Sequence, residues 1–412
     1  MSWFERVETR PVWKECDFLF FLARDNIKQY ATSVLLQEAL QYIRGNYSRL
    51  KVRNVVLLQD GRVIATYAVQ GAENLQPPVH RFNMSYLYGG DKALYRQYVE
   101  NTKGVLRVVS PSYFDLDDNG NLVITPYVDP AFIKDMHRQN IKVVPFVSNH
   151  WDQEKGKRAL ENRHKLADDI ANFMQATHLD GVNVDIENVT EEEREIYTDF
   201  VKLLRNKVPI NKEVSVAVVA NPNEWNTGWH GSNDYANLHK YSDYLMIMAY
   251  DESYQGGPEG PIASYPWVEK SIQYALKQGV PSDKIVLGLP FFGRYWMEGE
   301  ESGGNGIVNK AIIGLVSKYN GIVDFDEETK SAKATVMITN LETLNGRVLS
   351  PGTYHFWYDN LDSIKAKMEL VKKYRLKGTG SWKLGDEDRA IWDDSTLWTG
   401  EEHPMLPPSK SK

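Results

Sequence analysis

Cysteine is nearly absent. Cys16 is the only one in 412 residues, which excludes an intramolecular disulfide framework and a cysteine-based zinc site and leaves Cys16 as a small hydrophobe. Apolar runs of about 18 residues, the length of a membrane-spanning helix, are also missing. The longest near the start, residues 18–23, is too short even for the apolar core of a secretory leader, so the chain as given reads as soluble, and a natural leaderless protein and a trimmed one both fit. Basic charge is in short supply. A net charge of −7 and a pI near 5.8 give no footprint for nucleic acid or an anionic membrane. The nine histidines show no HExxH or comparable spacing, so neither a metal nor another cofactor is implied.

What remains is globular. With 42% hydrophobic and 25% charged residues, the chain is long enough for one large domain and a smaller one. Eleven tryptophans and 23 tyrosines suit a core and also the stacking of sugars.

Gln76-Pro77-Pro78 reads as a linker. Before it, residues 33–47 have the pattern of an amphipathic helix, and 54–58 and 62–69 flank Gln59-Asp60-Gly61, a hairpin signal. The first 75 residues are expected to form a small α+β unit of unassigned role, with packing or docking as the plain reading. After the linker, eight short apolar runs alternate with amphipathic segments: 83–88, 106–110, 141–147, 181–187, 214–220, 244–250, 285–290 and 378–383. That rhythm predicts an α/β chain closed into a (β/α)8 barrel over residues 80–395. Thr190 and Glu193 form a capping box opening a helix to Lys207, with Ile196, Phe200, Val201 and Leu204 at helical spacing. Residues 296–354 are too many for a crossover and predict an α+β insertion, and 401–412 read as a flexible tail.

The most informative stretch is Asp180-Gly181-Val182-Asn183-Val184-Asp185-Ile186-Glu187. As a strand it places Asn183, Asp185 and Glu187 on one face, roughly 6.5 to 7 Å apart in succession, with Val182, Val184 and Ile186 toward a core. Alone, the pattern fits an ordinary strand whose polar face meets water. Two acids buried together raise each other's pKa, and a carboxyl held protonated near neutrality is what a general acid requires. Other polar residues end later runs: Tyr250 and Asp251 in Met248-Ala249-Tyr250-Asp251, Arg294 in Pro290-Phe291-Phe292-Gly293-Arg294-Tyr295-Trp296, and Trp382 in the last run. In such barrels catalytic groups gather at the carboxyl ends of strands.

In these four motifs the chain resembles the family 18 glycoside hydrolases, the chitinase-like enzymes: DGxDxDxE, MxYD, PFxGRxW and a final-strand tryptophan appear in order. The resemblance implies retaining, substrate-assisted hydrolysis of β-1,4 bonds in N-acetylglucosamine-containing polysaccharide, a known exception to the two-carboxylate scheme. It assigns Glu187 as proton donor, Asp185 as acceptor of the acetamido N–H, Tyr250 as its orienting hydroxyl and Asp251 as a charge-tuning neighbour. Asn183, Met248, Trp382, Arg294, Tyr86, Asn149, Asn221 and Trp296 are the substrate-binding candidates. Trp382 is read as the floor under the sugar, with a core role the alternative, and for Arg294 a surface salt bridge is the alternative. Two departures stand out: Asn183 occupies a position usually held by Asp, and Val147-Ser148-Asn149-His150-Trp151 replaces SxGG in the third run. The variant looks more like the bacterial branch tied to spores and cell walls, so the expected partner is peptidoglycan fragments or chitooligosaccharides, acted on by a monomer that is spore- or wall-associated or secreted. The alternative is a chitinase-like protein that binds glycans without cutting them; retention of Glu187, Asp185 and Tyr250 favours catalysis.

Overall fold

The computed structural model describes residues 81–344 and 347–400 and, before them, the backbone of four strands. The chain divides into two compact units, Met1–Val79 and His80–Lys412. In the first, Phe4–Arg6 pairs antiparallel with Glu15–Ala23, which runs parallel to Lys51–Gln59. The latter turns back antiparallel onto Arg62–Ala68, as the hairpin signal requires, with a register shift between Leu57 and Leu58. The expected helix at 33–47, the linker at 76–78 and the tail at 401–412 lie outside the described residues.

In the second unit every apolar run becomes a strand: β1 (Phe82–Leu87), β2 (Val108–Pro111), β3 (Lys142–Val143 and Phe146–Ser148), β4 (Gly181–Asp185), β5 (Glu213–Val219), β6 (Tyr244–Met248), β7 (Ile285–Pro290) and β8 (Gly378–Trp382). Pro145 lacks an N–H and falls where β3 is interrupted. The hydrogen-bonded order runs from the second half of β3 through β4, β5, β6, β7, β8, β1 and β2 to the first half of β3, with all pairs parallel. Since the order starts and ends on two halves of one strand, the sheet closes into the (β/α)8 barrel.

Alternation along each strand sorts the side chains. Val182 and Val184 point outward into the core beneath the helices, while Met84, Tyr86, Val108, Phe146, Tyr244, Met246 and Val286 fill the barrel interior. Gly181 is required where β4 starts: a Cβ there would lie 2.3 Å from the Glu213 carbonyl oxygen on β5. The capping box forms, the Thr190 N–H donating to Glu193 Oε2 at 2.8 Å, and leads into the helix Arg194–Lys207. Its buried face is Tyr197, Phe200, Val201 and Leu204, a stripe set by the 3.6-residue period, and each large side chain there stabilises the shell by about 1.5–3 kcal/mol. Tyr197 joins that face with its hydroxyl drawn inward, accepting from the Ile186 N–H at 3.3 Å, and the expected Ile196 packs partly buried against the same core.

The insertion between β7 and β8 is a five-stranded antiparallel sheet with the helix Asn309–Tyr319 packed on it and a core of its own, including Ile312, Val336 and Phe356. It begins at Phe292 because the PFxGRxW stretch itself supplies the strand Phe292–Met297, and its last strand is Gly352–Tyr358. Among the described residues no helix is long and apolar enough to cross a membrane.

Candidate active site

A cleft of about 440 Å³ opens at the carboxyl ends of the barrel strands, and Tyr86, Asp185, Glu187, Met248, Tyr250, Asp251, Arg294 and Trp382 all line it. The polar motif does not stay on the strand to its end. β4 stops at Asp185, and Glu187 lies beyond it on a segment fixed from outside: the Glu187 N–H donates to Asn149 Oδ1 at 2.8 Å, and Asn149 Nδ2 donates back to the Glu187 carbonyl at 2.7 Å. Asn149 therefore holds the backbone of Glu187 and is itself fully buried. It is not a wall of the cleft as expected, because both ends of its amide are spent on backbone.

Asp185 is buried and its Oδ1 has no hydrogen-bond partner. Burial pushes its pKa up to about 7, against the pull of the Ser148 hydroxyl. Glu187 is likewise held well above its ordinary value, by burial first and then by the nearby charges of Asp185 and Asp251. A raised carboxyl beside acids is a proton donor at neutral pH. Asp251 takes two hydrogen bonds on Oδ1, from Arg294 Nε at 3.0 Å and Nη2 at 2.7 Å, and Arg294 Nη1 reaches the Gly304 carbonyl at 2.6 Å. Although 43% of the Asp251 side chain meets solvent, protein crowds its carboxyl where it lines the cleft. That burial pushes its pKa up, and Arg294 offsets it only in part. Asp251 also has a φ of +66°, a left-handed backbone that non-glycine residues adopt at a cost and that concentrates at functional sites.

Beneath the acids runs a neutral chain: the Tyr86 hydroxyl donates to Asn183 Oδ1 at 2.9 Å, and Asn183 Nδ2 donates to the Ser215 hydroxyl at 2.9 Å. Asn183 is fully buried and supports Tyr86 from behind the cleft surface instead of lining it. Above, Trp382 packs against Tyr86, Tyr88 and Phe146 with ring centroids 5.2, 5.6 and 6.0 Å away, forming an aromatic floor. Two other candidates also leave the cleft. Asn221 is buried and bonded both ways to the Trp225 backbone, at 2.7 and 2.8 Å, so it shapes the loop after β5. Trp296 is 1% exposed, and its Nε1 donates to the Gly257 carbonyl at 2.9 Å. Asp180, at the opposite end of β4, accepts from the Val143 N–H at 2.9 Å and pairs with His137 and Lys212, a structural tie.

Past Glu187 the cleft continues into a second lobe of about 230 Å³ that the motifs did not reveal. Trp151, Trp225, Trp229 and Tyr254 line it and are 48, 47, 37 and 58% exposed, too much for core residues. His230 stacks on Trp229 at 3.6 Å, and burial lowers its pKa to about 4, so it is neutral near pH 7. The signal in the sequence was two tryptophans in the Gly- and Asn-bearing stretch Trp225-Asn226-Thr227-Gly228-Trp229, which no periodicity assigns to a core. The two lobes share Trp151, Glu187, Met248, Tyr250 and Asp251, so a raised acid stands at the junction of two aromatic-walled pockets.

The sequence profile described as glycosyl hydrolases family 18 matches residues 85–388. The uncharacterised glycosylase YvbX of Bacillus subtilis is 23% identical over 316 residues, covering 74% of this chain and 87% of that protein. The cortical fragment-lytic enzyme of the same organism is 25% identical over 308 residues, covering 70% and 68%. A chitinase from Chromobacterium violaceum superposes with a TM-score of 0.68 at 22% identity, over 78% of this chain and all of that one, a likeness of fold. The chain belongs to family 18 and is a glycoside hydrolase.

Proposed function

We propose that this family 18 enzyme cleaves β-1,4 bonds of N-acetylglucosamine-containing polysaccharide, chitooligosaccharide or the glycan of peptidoglycan, with retention and with the substrate's own acetamido group as nucleophile. The observation that carries this reading is a buried Asp185 whose Oδ1 is left without a partner inside the cleft, two residues from a Glu187 whose carboxyl burial and neighbouring acids hold well above the usual range. Glu187 donates its proton to the glycosidic oxygen as the acetamido carbonyl attacks the anomeric carbon. Asp185 accepts the acetamido N–H through the oxygen that lacks a partner, and its negative charge stabilises the cation that develops. The Tyr250 hydroxyl, held protonated by burial, orients the acetamido oxygen. Water then opens the ring intermediate, giving its proton to Glu187. The third acid on the cleft wall, Asp251, is tied to Arg294, which supports a mechanism without a carboxylate nucleophile. The aromatic floor at Trp382 holds the sugar that reacts, and the second lobe holds the leaving sugar against its tryptophans. Relatives named for cortical fragments and for chitin support the substrate class.

The test is digestion of chitotetraose and of peptidoglycan, with product masses and the first-formed anomer read by mass spectrometry and NMR. Cleavage with β-anomer product is expected, together with loss of cleavage when the oligomer is de-N-acetylated and in Glu187→Gln. Cleavage of the de-N-acetylated oligomer at the native rate refutes the mechanism.

A further inference from the structure

Three features remain unused by that chemistry: the Gly303-Gly304 pair, buried Trp296, and a carboxylate at Glu259 outside the cleft. All three meet at the loop after β6, the loop that carries Asp251 and Tyr254 to the two lobes. Glu259 accepts hydrogen bonds from Lys333 Nζ at 2.7 Å, His355 Nδ1 at 2.7 Å and Trp357 Nε1 at 2.9 Å. Lys333 and Trp357 are register partners, and His355 and Trp357 are two apart on one strand, so the donors rise from one face of the insertion sheet. Burial alone would raise the pKa of Glu259, but these three donors outweigh it and hold it at about 2.

A second seam lies beside the first. The Gly256 N–H donates to the Gly303 carbonyl at 2.8 Å, the Gly303 N–H to the Gly257 carbonyl at 3.2 Å, and Trp296 Nε1 to the same Gly257 carbonyl. Gly304 sits at φ +70°, and a Cβ there would lie 2.2 Å from the Tyr254 carbonyl oxygen. No side chain fits between insertion and loop without moving Tyr254. A charged clamp and a backbone seam thus converge on one loop from one subdomain.

We propose that the insertion is the positioning element of the second lobe: Glu259, Trp296 and Gly304 latch the loop after β6 so that Tyr254 is held where the leaving sugar docks. This rests on the reading that a glycan is cut across both lobes. Glu259 and Trp296 touch neither a reacting atom nor the Arg294–Asp251 pair, so their effect falls on the binding of a leaving group large enough to reach Tyr254.

The experiment uses the full chain with Glu259→Gln and, independently, Trp296→Phe, which removes the bond to the Gly257 carbonyl and keeps the ring. Chitotetraose, whose leaving group is a sugar, is compared with N,N′-diacetylchitobiosyl fluoride, whose leaving group is a single atom. The expected result is a KM for the tetraose raised about fivefold or more with kcat little changed, while kcat/KM for the fluoride stays within about twofold. Hydrogen exchange of the amides in 252–257 reads the latch without any substrate and is expected to accelerate in Glu259→Gln. Equal losses on both substrates, no change in KM, or unchanged exchange overturns the proposal. A native enzyme that cuts neither glycan while exchange accelerates refutes the assigned reaction and the positioning role with it, leaving only a structural clamp.

Discussion

Asp185→Asn is expected to make the protein more stable and nearly inactive, with the gain in stability dependent on pH. Burial moves the folded-state pKa from 3.8 to about 7, a difference of roughly three units. At about 1.4 kcal/mol per unit the full penalty for ionising this side chain in the fold is about 4 kcal/mol. Asp185 and Glu187 influence each other's protonation, so the penalty borne by the pair is on the order of 2–4 kcal/mol. The sign follows from proton counting. A raised carboxyl binds more protons folded than unfolded between about pH 4 and 7, so the native protein loses stability as pH climbs through that window. The amide never ionises, and its removal of a neighbouring charge also relieves Glu187. Urea unfolding of both proteins at pH 4, 6 and 8 should show curves that nearly coincide at pH 4 and separate by about 2–4 kcal/mol at pH 8 in favour of the variant. Turnover should fall by about a hundredfold or more, since the charge opposing the developing cation is gone. A gap of the same size at every pH, or a variant less stable at pH 8, would refute the assignment of Asp185 as a buried acid held against its solvation.

Trp225→Ala should raise KM for oligosaccharides about two- to tenfold, the value of one aromatic contact, in steady-state assays with kcat largely kept; an unchanged KM removes Trp225 from the second lobe. Asn183→Asp places another carboxyl two residues from Asp185, so the acidic limb of the pH–rate profile should move to higher pH, and an unmoved limb would count against electrostatic contact between the two positions. At Asp180, burial works to raise the pKa, but the Val143 N–H, His137 and Lys212 outweigh it and leave it lowered. Its contribution is present above the usual aspartate range and lost as pH falls through the folded value. Asp180→Ala should therefore cost about 1–3 kcal/mol in urea unfolding at pH 7 and much less near pH 2, and an equal cost at both would deny the ionic tie.

What could be read in advance follows from the range of the forces involved. Apolar runs and period-two alternation are local, so the barrel strands and the shared face of Asn183 and Asp185 are legible in the sequence. The position of Glu187 was legible only as a neighbour of that strand. What fixes it is Asn149, 38 residues away in sequence, whose amide is indistinguishable in a sequence from one that binds sugar. The same ambiguity holds for Asn221 and Trp296: each carries a side chain suited to a glycan, and each spends its polar atoms on the backbone of a loop. Such loops have no period to read. The walls of the second lobe come from residues after β3, β5 and β6 that meet only once the barrel has closed, and Glu259 finds His355 across 96 positions. In this molecule the proposed acid is legible within eight consecutive residues, whereas its burial, its orientation and the pocket beyond it depend on contacts that the closed barrel and its insertion create.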